Sequence, residues 1–140
     1  MVPLTQNNFS AAIDLLKKNN LPTEDISEAT SLFVVEEDNS VIGTIALEYA
    51  GSEGLLRSLA VAEDHRQNGL GGELVSFIEA YAMRQGIQQL YLLTTTAEKF
   101  FAKRGYLVVE RTAVSPFIQN SSEFASVCPS TAVVMKKIIS

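Results

Sequence analysis

Apolar residues along this chain fall into separate periods, and each period predicts an element. Phe9, Ile13 and Leu16 lie at helical spacing, and Pro22 ends the helix they imply. Thr23 then caps a short second helix through Glu24 and Asp25. Ser31 to Glu36 is apolar and rich in strand-forming residues. The turn Asp38-Asn39-Ser40 leads into a second strand, Val41 to Tyr49, so the pair reads as a hairpin. Ala50 to Gly54 turns the chain into a third strand, Leu55 to Val61.

The clearest helix follows a short polar loop. Leu70, Leu74, Phe77, Ile78 and Tyr81 make one apolar stripe, and Gly86 is its expected C′ residue. Gln89 to Thr94 reads as a short buried strand. Thr95 with Glu98 has the spacing of a capping box for a helix that stops at Gly105. Leu107 to Ala113 and Thr131 to Ile139 complete the sheet. Between them lies a long irregular stretch, Val114 to Ser130, of the length often given to function. Strands separated by helices imply an α/β fold, a mixed sheet with helices on both faces.

Composition narrows the classes. A length of 140 residues suggests one domain over 1–140. The net charge of -5, with no stripe of Lys and Arg, argues against a nucleic-acid partner. No apolar run reaches the roughly 18 residues of a membrane span, and the first residues lack the features of a signal peptide. Cys128 is the only cysteine, which excludes an intrachain disulfide and fits a reducing cytoplasm. With His65 as the only histidine, no metal site is expected.

The candidate chemistry sits after the third strand. Arg66-Gln67-Asn68-Gly69-Leu70-Gly71-Gly72 opens the long helix. Glycines there let the backbone approach a ligand, and the N–H groups at a positive helix end suit a pyrophosphate. The segment is not a dinucleotide fingerprint, because Leu74 stands where its third glycine would be. It is not a Walker loop either, since Gly-Lys-[Ser/Thr] is absent. The competing reading is a glycine-rich turn that merely starts a helix.

The strand, the Arg66-x-x-Gly69-x-Gly71 segment, the helix and the second strand–helix unit ending in Gly105-Tyr106 together resemble the GNAT superfamily of N-acetyltransferases. The resemblance runs from about residue 5 to the end. It implies a sheet of six to seven strands that splays between Val61 and Thr94. It also implies acetyl-CoA as cosubstrate, with the pyrophosphate on the loop amides. Leu59, Ala60 and Val61 would pair their backbones with the pantetheine arm. Thr94 would line the splay, and Phe100, Phe101 and Arg104 would flank the CoA tail. The acceptor would be a small amine, attacked directly with no covalent enzyme intermediate. The superfamily often forms dimers, so the Val114–Ser130 segment could cover the cleft or meet a second copy in a homodimer.

Finer features resemble the arsenic-resistance N-acetyltransferase-like branch. They are Leu55 to Val61, Leu90 to Ala97, Phe100-Phe101, Gly105-Tyr106, Ser122-Glu123-Phe124 and Cys128-Pro129. That branch implies an amino acid or amino-acid analogue as acceptor. Strand alternation puts Leu55, Arg57 and Leu59 on one side. Arg57 could therefore clasp an anionic group of the acceptor, or pair structurally with Glu48 or Glu53. Glu123 could bind the acceptor's ammonium, or be a solvated side chain.

Two departures bear on mechanism. The superfamily's frequent catalytic glutamate position holds Leu55, and its frequent tyrosine acid position holds Phe101. Glu48 is the candidate base, against an ordinary strand carboxylate. Tyr106 is the candidate acid, against a core aromatic, with Tyr49 and Tyr91 as further options. Cys128 reads as a packing residue and His65 as a loop residue. The departures sustain an alternative in which the chain is a catalytically silent acyl-CoA sensor.

Overall fold

A computed structural model describes residues 2–3, 6–19, 31–95, 97–110 and 132–139. Its elements in chain order are β1 (Val2–Pro3), α1 (Gln6–Lys18), β2 (Ser31–Glu37), β3 (Ser40–Ala50), β4 (Glu53–Val61), a 3₁₀ helix (Glu63–Asn68), α2 (Leu70–Arg84), β5 (Gln89–Thr94), α3 (Glu98–Ala102), β6 (Leu107–Val109) and β7 (Val133–Ile138). The expected helix at Glu24 and Asp25 and the Val114–Ser130 stretch lie outside the described residues. The chain divides into two compact units, Met1–Glu48 with Leu56–Tyr81 and Tyr49–Leu55 with Ala82–Ser140. Strand β4 begins in the second and ends in the first.

In the first unit the strands follow the order β1-β2-β3-β4. β1 and β3 both pair antiparallel with β2. The β2–β3 turn puts Asp38 and Asn39 at φ 53° and 65°. That is the geometry of a hairpin turn whose twist matches the strands, and Asp and Asn tolerate it. Alternation along β2 then sorts the two faces. Leu32 and Val34 meet Ala12, Leu15 and Leu16 of α1, together with Ala46 and Ala60. Phe33 points the other way, edge-on to Phe77 and Tyr81 of α2, with both ring centroids 5.0 Å away. The expectation of helices on both faces is met within this unit.

In the second unit the order is β4-β5-β7-β6. Glu53, Gly54 and Leu55 pair parallel with Gln89, Leu90 and Tyr91. β7 pairs antiparallel with both β5 and β6. The sheet is therefore mixed, as expected. The last turn of α2, which falls in this unit, and α3 both end on a left-handed glycine. Gly86 has φ 82°, and the N–H groups of Gly86 and Ile87 donate to Met83 and Ala82. Gly105 has φ 94°, and the N–H groups of Gly105 and Tyr106 donate to Ala102 and Phe101. Each pattern gives two carbonyls of the last turn a donor from beyond the helix end.

Two local expectations are corrected. The polar loop before Gly69 is a 3₁₀ helix. The capping box at Thr95 and Glu98 is absent, because the N-cap of α3 is Ala97 with no side-chain cap. Thr94 Oγ1 instead accepts the Ala97 N–H at 2.9 Å, so the residue closing β5 takes over this local bond.

Gly43 of β3 sets how closely α2 can approach. A Cβ there would lie 3.1 Å from both Leu70 Cδ2 and Leu74 Cδ1. Gly43→Val should therefore lower stability by about 1–3 kcal/mol through overpacking, with Gly43→Ala costing less because the leucine tips can shift. Urea midpoints check this; a valine variant as stable as the parent would show that the helix seat is loose.

Candidate functional site

The first candidate feature is the start of α2. Gly69 joins the 3₁₀ helix to α2 at φ 77° and ψ 8°. A Cβ there would meet nothing within 4 Å, so the demand for glycine comes from the backbone angle and not from crowding. The first helical bond runs from the Glu73 N–H to the Gly69 carbonyl, 3.1 Å. By helix geometry the amides of Gly69, Leu70, Gly71 and Gly72 have no acceptor inside the helix. They face outward at its positive end, which is suited to an anion. The backbone of Arg66, Gln67 and Asn68 closes the 3₁₀ helix just before them. Leu70 is buried over Gly43, so the core fixes where these amides sit.

The second feature lies on β4. Arg57 is 2% exposed, and its Nη1 is 3.1 Å from Glu48 Oε1 on β3. The partner is Glu48, one of the two carboxylates the sequence offered. The Glu48 side chain is 25% exposed, so the pair has one buried and one accessible member. Ser58 follows at φ 59°, a left-handed conformation inside a strand. For a residue with a Cβ this costs about 1–2 kcal/mol. Two contacts hold it. The buried Thr44 hydroxyl donates to the Ser58 carbonyl at 2.8 Å, and Arg57 Nε donates to Ser58 Oγ at 3.4 Å.

That conformation overturns one expectation. Glu48 and Ala46 share a face of β3 by alternation. Arg57 reaches Glu48, and Ala60 joins the cluster that contains Ala46. Arg57 and Ala60 therefore share a face at an odd spacing, as happens across a bulge. Leu59 does not share Arg57's side; it is half-buried, while Ala60 and Val61 are buried.

In the second unit Phe101 is buried, edge-on to Phe100 at 5.0 Å and to Tyr106 at 5.5 Å. Tyr106 is 0% exposed, and Lys137 Nζ lies 5.5 Å from its ring centroid. Phe100 and Arg104 are half-buried. The Arg104 guanidinium stacks 3.9 Å over the Phe100 ring, and Nη1 donates to the Phe100 carbonyl. Thr94 is half-buried at the end of β5. Tyr91 donates to Gln89 Oε1 at 3.2 Å. Burial, and then the charge and hydrogen bonding of Glu53, push its phenol above the ordinary tyrosine value.

His65 lies in the 3₁₀ helix of the first unit, with Nδ1 3.1 Å from Asp64 and Nε2 3.5 Å from Glu37. Glu123 and Cys128 lie outside the described residues. Among the described residues no group of three His, Cys, Asp or Glu side chains could hold a metal ion. Sequence reasoning passed over Thr44 and Ser58. Thr44 left one signal, a polar residue inside the apolar run Ile42 to Leu47. Ser58 left none, since its role depends on a backbone angle.

Comparison with known proteins adds three findings. A family model described as the acetyltransferase (GNAT) domain matches residues 28–108. The amino-acid acetyltransferase of Ectopseudomonas mendocina (strain ymp) is 40% identical over 81 residues, which are 56% of this chain and 19% of that protein. The chain thus covers under a fifth of the length of this curated relative. Two solved structures share the fold. N-acetylglutamate synthase from Neisseria gonorrhoeae, complexed with coenzyme A and N-acetyl-glutamate, matches with a TM-score of 0.83 at 18% identity, covering 99% of this chain and 34% of that one. Rv2747 from Mycobacterium tuberculosis, in complex with CoA and NLQ, matches with a TM-score of 0.81 at 19% identity, covering 100% of both chains. The curated relative bears the amino-acid acetyltransferase name and not the arsenic-resistance one.

The raised Tyr91 phenol carries a pH prediction. Folding favours its neutral form, so the stability it contributes is complete below the unfolded value of about 10 and is lost as pH rises through the higher folded value. Tyr91→Phe should flatten the fall in urea midpoint above roughly pH 10. Parallel curves for the two proteins between neutral and strongly alkaline pH would contradict this.

Proposed function

The chain belongs to the acetyltransferase (GNAT) domain family, and from that premise we propose that it moves an acetyl group from acetyl-CoA to the amine of an amino acid or amino-acid analogue. One observation carries the donor half. The outward amides of Gly69 to Gly72 stand at a helix start that follows β4 after a single 3₁₀ helix. Diphosphate oxygens would take hydrogen bonds from these amides, whatever the net charge of the chain. The backbones of Leu59, Ala60 and Val61 are assigned to the pantetheine arm. Thr94, Phe100 and Arg104 are assigned to the remainder of the cosubstrate. Phe101 supports Phe100 from the core.

The acceptor half rests on Arg57 and Glu48. An arginine buried against a partly exposed carboxylate forms a neutralised pair of opposite charges. An amino acid carries the complementary pair, an ammonium and a carboxylate. Glu48 would receive the ammonium and take its proton through water, while Arg57 would engage the carboxylate. The neutral amine then attacks the thioester carbon, the carbon–sulfur bond breaks, and the proton that the nitrogen loses passes through water to the departing CoA thiolate. Burial of Tyr106 supports a packing role for it rather than that of the acid. The amino-acid acetyltransferase name of the relative supports this class of acceptor. The single cysteine suits a cytoplasmic setting.

Thiol release from acetyl-CoA, measured across amino acids and simple amines, tests the reading. Turnover with amino acids is expected. Tight CoA binding without turnover on any acceptor would favour a sensor instead, and no CoA binding would defeat both. Gly71→Trp should raise the dissociation constant for acetyl-CoA by about tenfold or more, equivalent to about 1.4 kcal/mol. Arg57→Ala should raise the acceptor's KM much more than that of acetyl-CoA. Equal increases would remove Arg57 from acceptor binding.

A further inference from the structure

Ser58 is a non-glycine residue held left-handed inside β4, and such a residue persists only where its surroundings over-determine it. The surroundings here are specific. Thr44 is 0% exposed, and its hydroxyl sits 2.8 Å from the Ser58 carbonyl oxygen. The oxygen thus accepts from a side chain of the neighbouring strand. The Ser58–Leu59 peptide is trans, so its N–H points opposite to that carbonyl and away from Thr44. Leu59 is also the first residue whose backbone is assigned above to the pantetheine arm.

We infer that Thr44 is a positioning residue for acyl transfer: its hydroxyl turns the Ser58–Leu59 peptide so that the amide faces the acyl donor. Arg57 assists through its contact with Ser58 Oγ. The same guanidinium holds Glu48, so one strained residue links the donor backbone to the acceptor pair. Thr44 touches neither substrate. It acts through a peptide that does. The inference rests on the acetyl-CoA reading proposed above.

Three variants test it. Thr44→Val removes the hydroxyl at nearly constant shape, Thr44→Ser keeps it, and Thr44→Ala removes it without placing a methyl against the carbonyl should the valine variant fold poorly. Each is measured for kcat, acceptor KM, acetyl-CoA dissociation constant and urea midpoint. The hydroxyl-free variants should lose about tenfold to a hundredfold in kcat. Their affinity for CoA should stay within about twofold, because the pyrophosphate amides of α2 are untouched. Thr44→Ser should recover most of the rate. Parental kcat in the hydroxyl-free variants overturns the inference. So does a loss of rate that merely follows the unfolded fraction, or one that serine does not restore. A parent chain that binds no acetyl-CoA would instead overturn the donor reading, and this inference with it.

Discussion

A single backbone angle in β4 governs much of what surrounds it. Ser58 at φ 59° adds a residue's worth of offset to the strand. Before it, Arg57 faces Glu48; after it, Ala60 packs with Ala12, Leu16 and Ala46. An uninterrupted strand would send Arg57 and Ala60 to opposite faces. The strain of about 1–2 kcal/mol is offset by two kinds of contact. A buried neutral hydrogen bond contributes about 0.5–1.5 kcal/mol, and one to a charged group about 1.5–3 kcal/mol. Thr44 supplies the first kind, and Arg57 Nε, donating to Ser58 Oγ, supplies the second.

Packing also fixes the helix start that makes the donor reading possible. Gly43 lets Leu70 and Leu74 settle onto β3, and Phe33 meets Phe77 and Tyr81 further along α2. These contacts hold the helix axis. Gly69 then lets the chain enter that axis directly from the 3₁₀ helix. The proposed anion site therefore draws on two independent supports: a conformation that needs glycine at residue 69, and close packing of Leu70 and Leu74 over Gly43.

Most of the elements were readable from hydrophobic period alone. The α2 stripe, the hairpin with its Asp-Asn turn, the β5 run and both terminal glycines recur in the structure where their chemistry put them. The motifs that carried the family resemblance, from the β4 strand through Gly105-Tyr106, lie within residues 28–108, which the family model matches. What misled was local and polar. Thr95 and Glu98 have the spacing of a capping box, yet Thr94 takes the bond, because side-chain hydrogen bonds depend on where β5 ends and not on spacing. Arg57 had two carboxylates within plausible reach. Only the placement of β3 beside β4 selects Glu48.

By itself, the sequence determined the order of strands β2 to β7 and of helices α1, α2 and α3, and it marked the glycine-opened helix and the anionic class of ligand proposed for it. Those properties follow from short-range periodicity and from residues with unusual backbone freedom. The tertiary structure decided the rest. It chose the partner of Arg57, buried Tyr106 and Phe101, and held a serine in a conformation that composition would assign to glycine. Each of these depends on which side chains long-range folding brings within hydrogen-bond distance, and no local pattern encodes that distance.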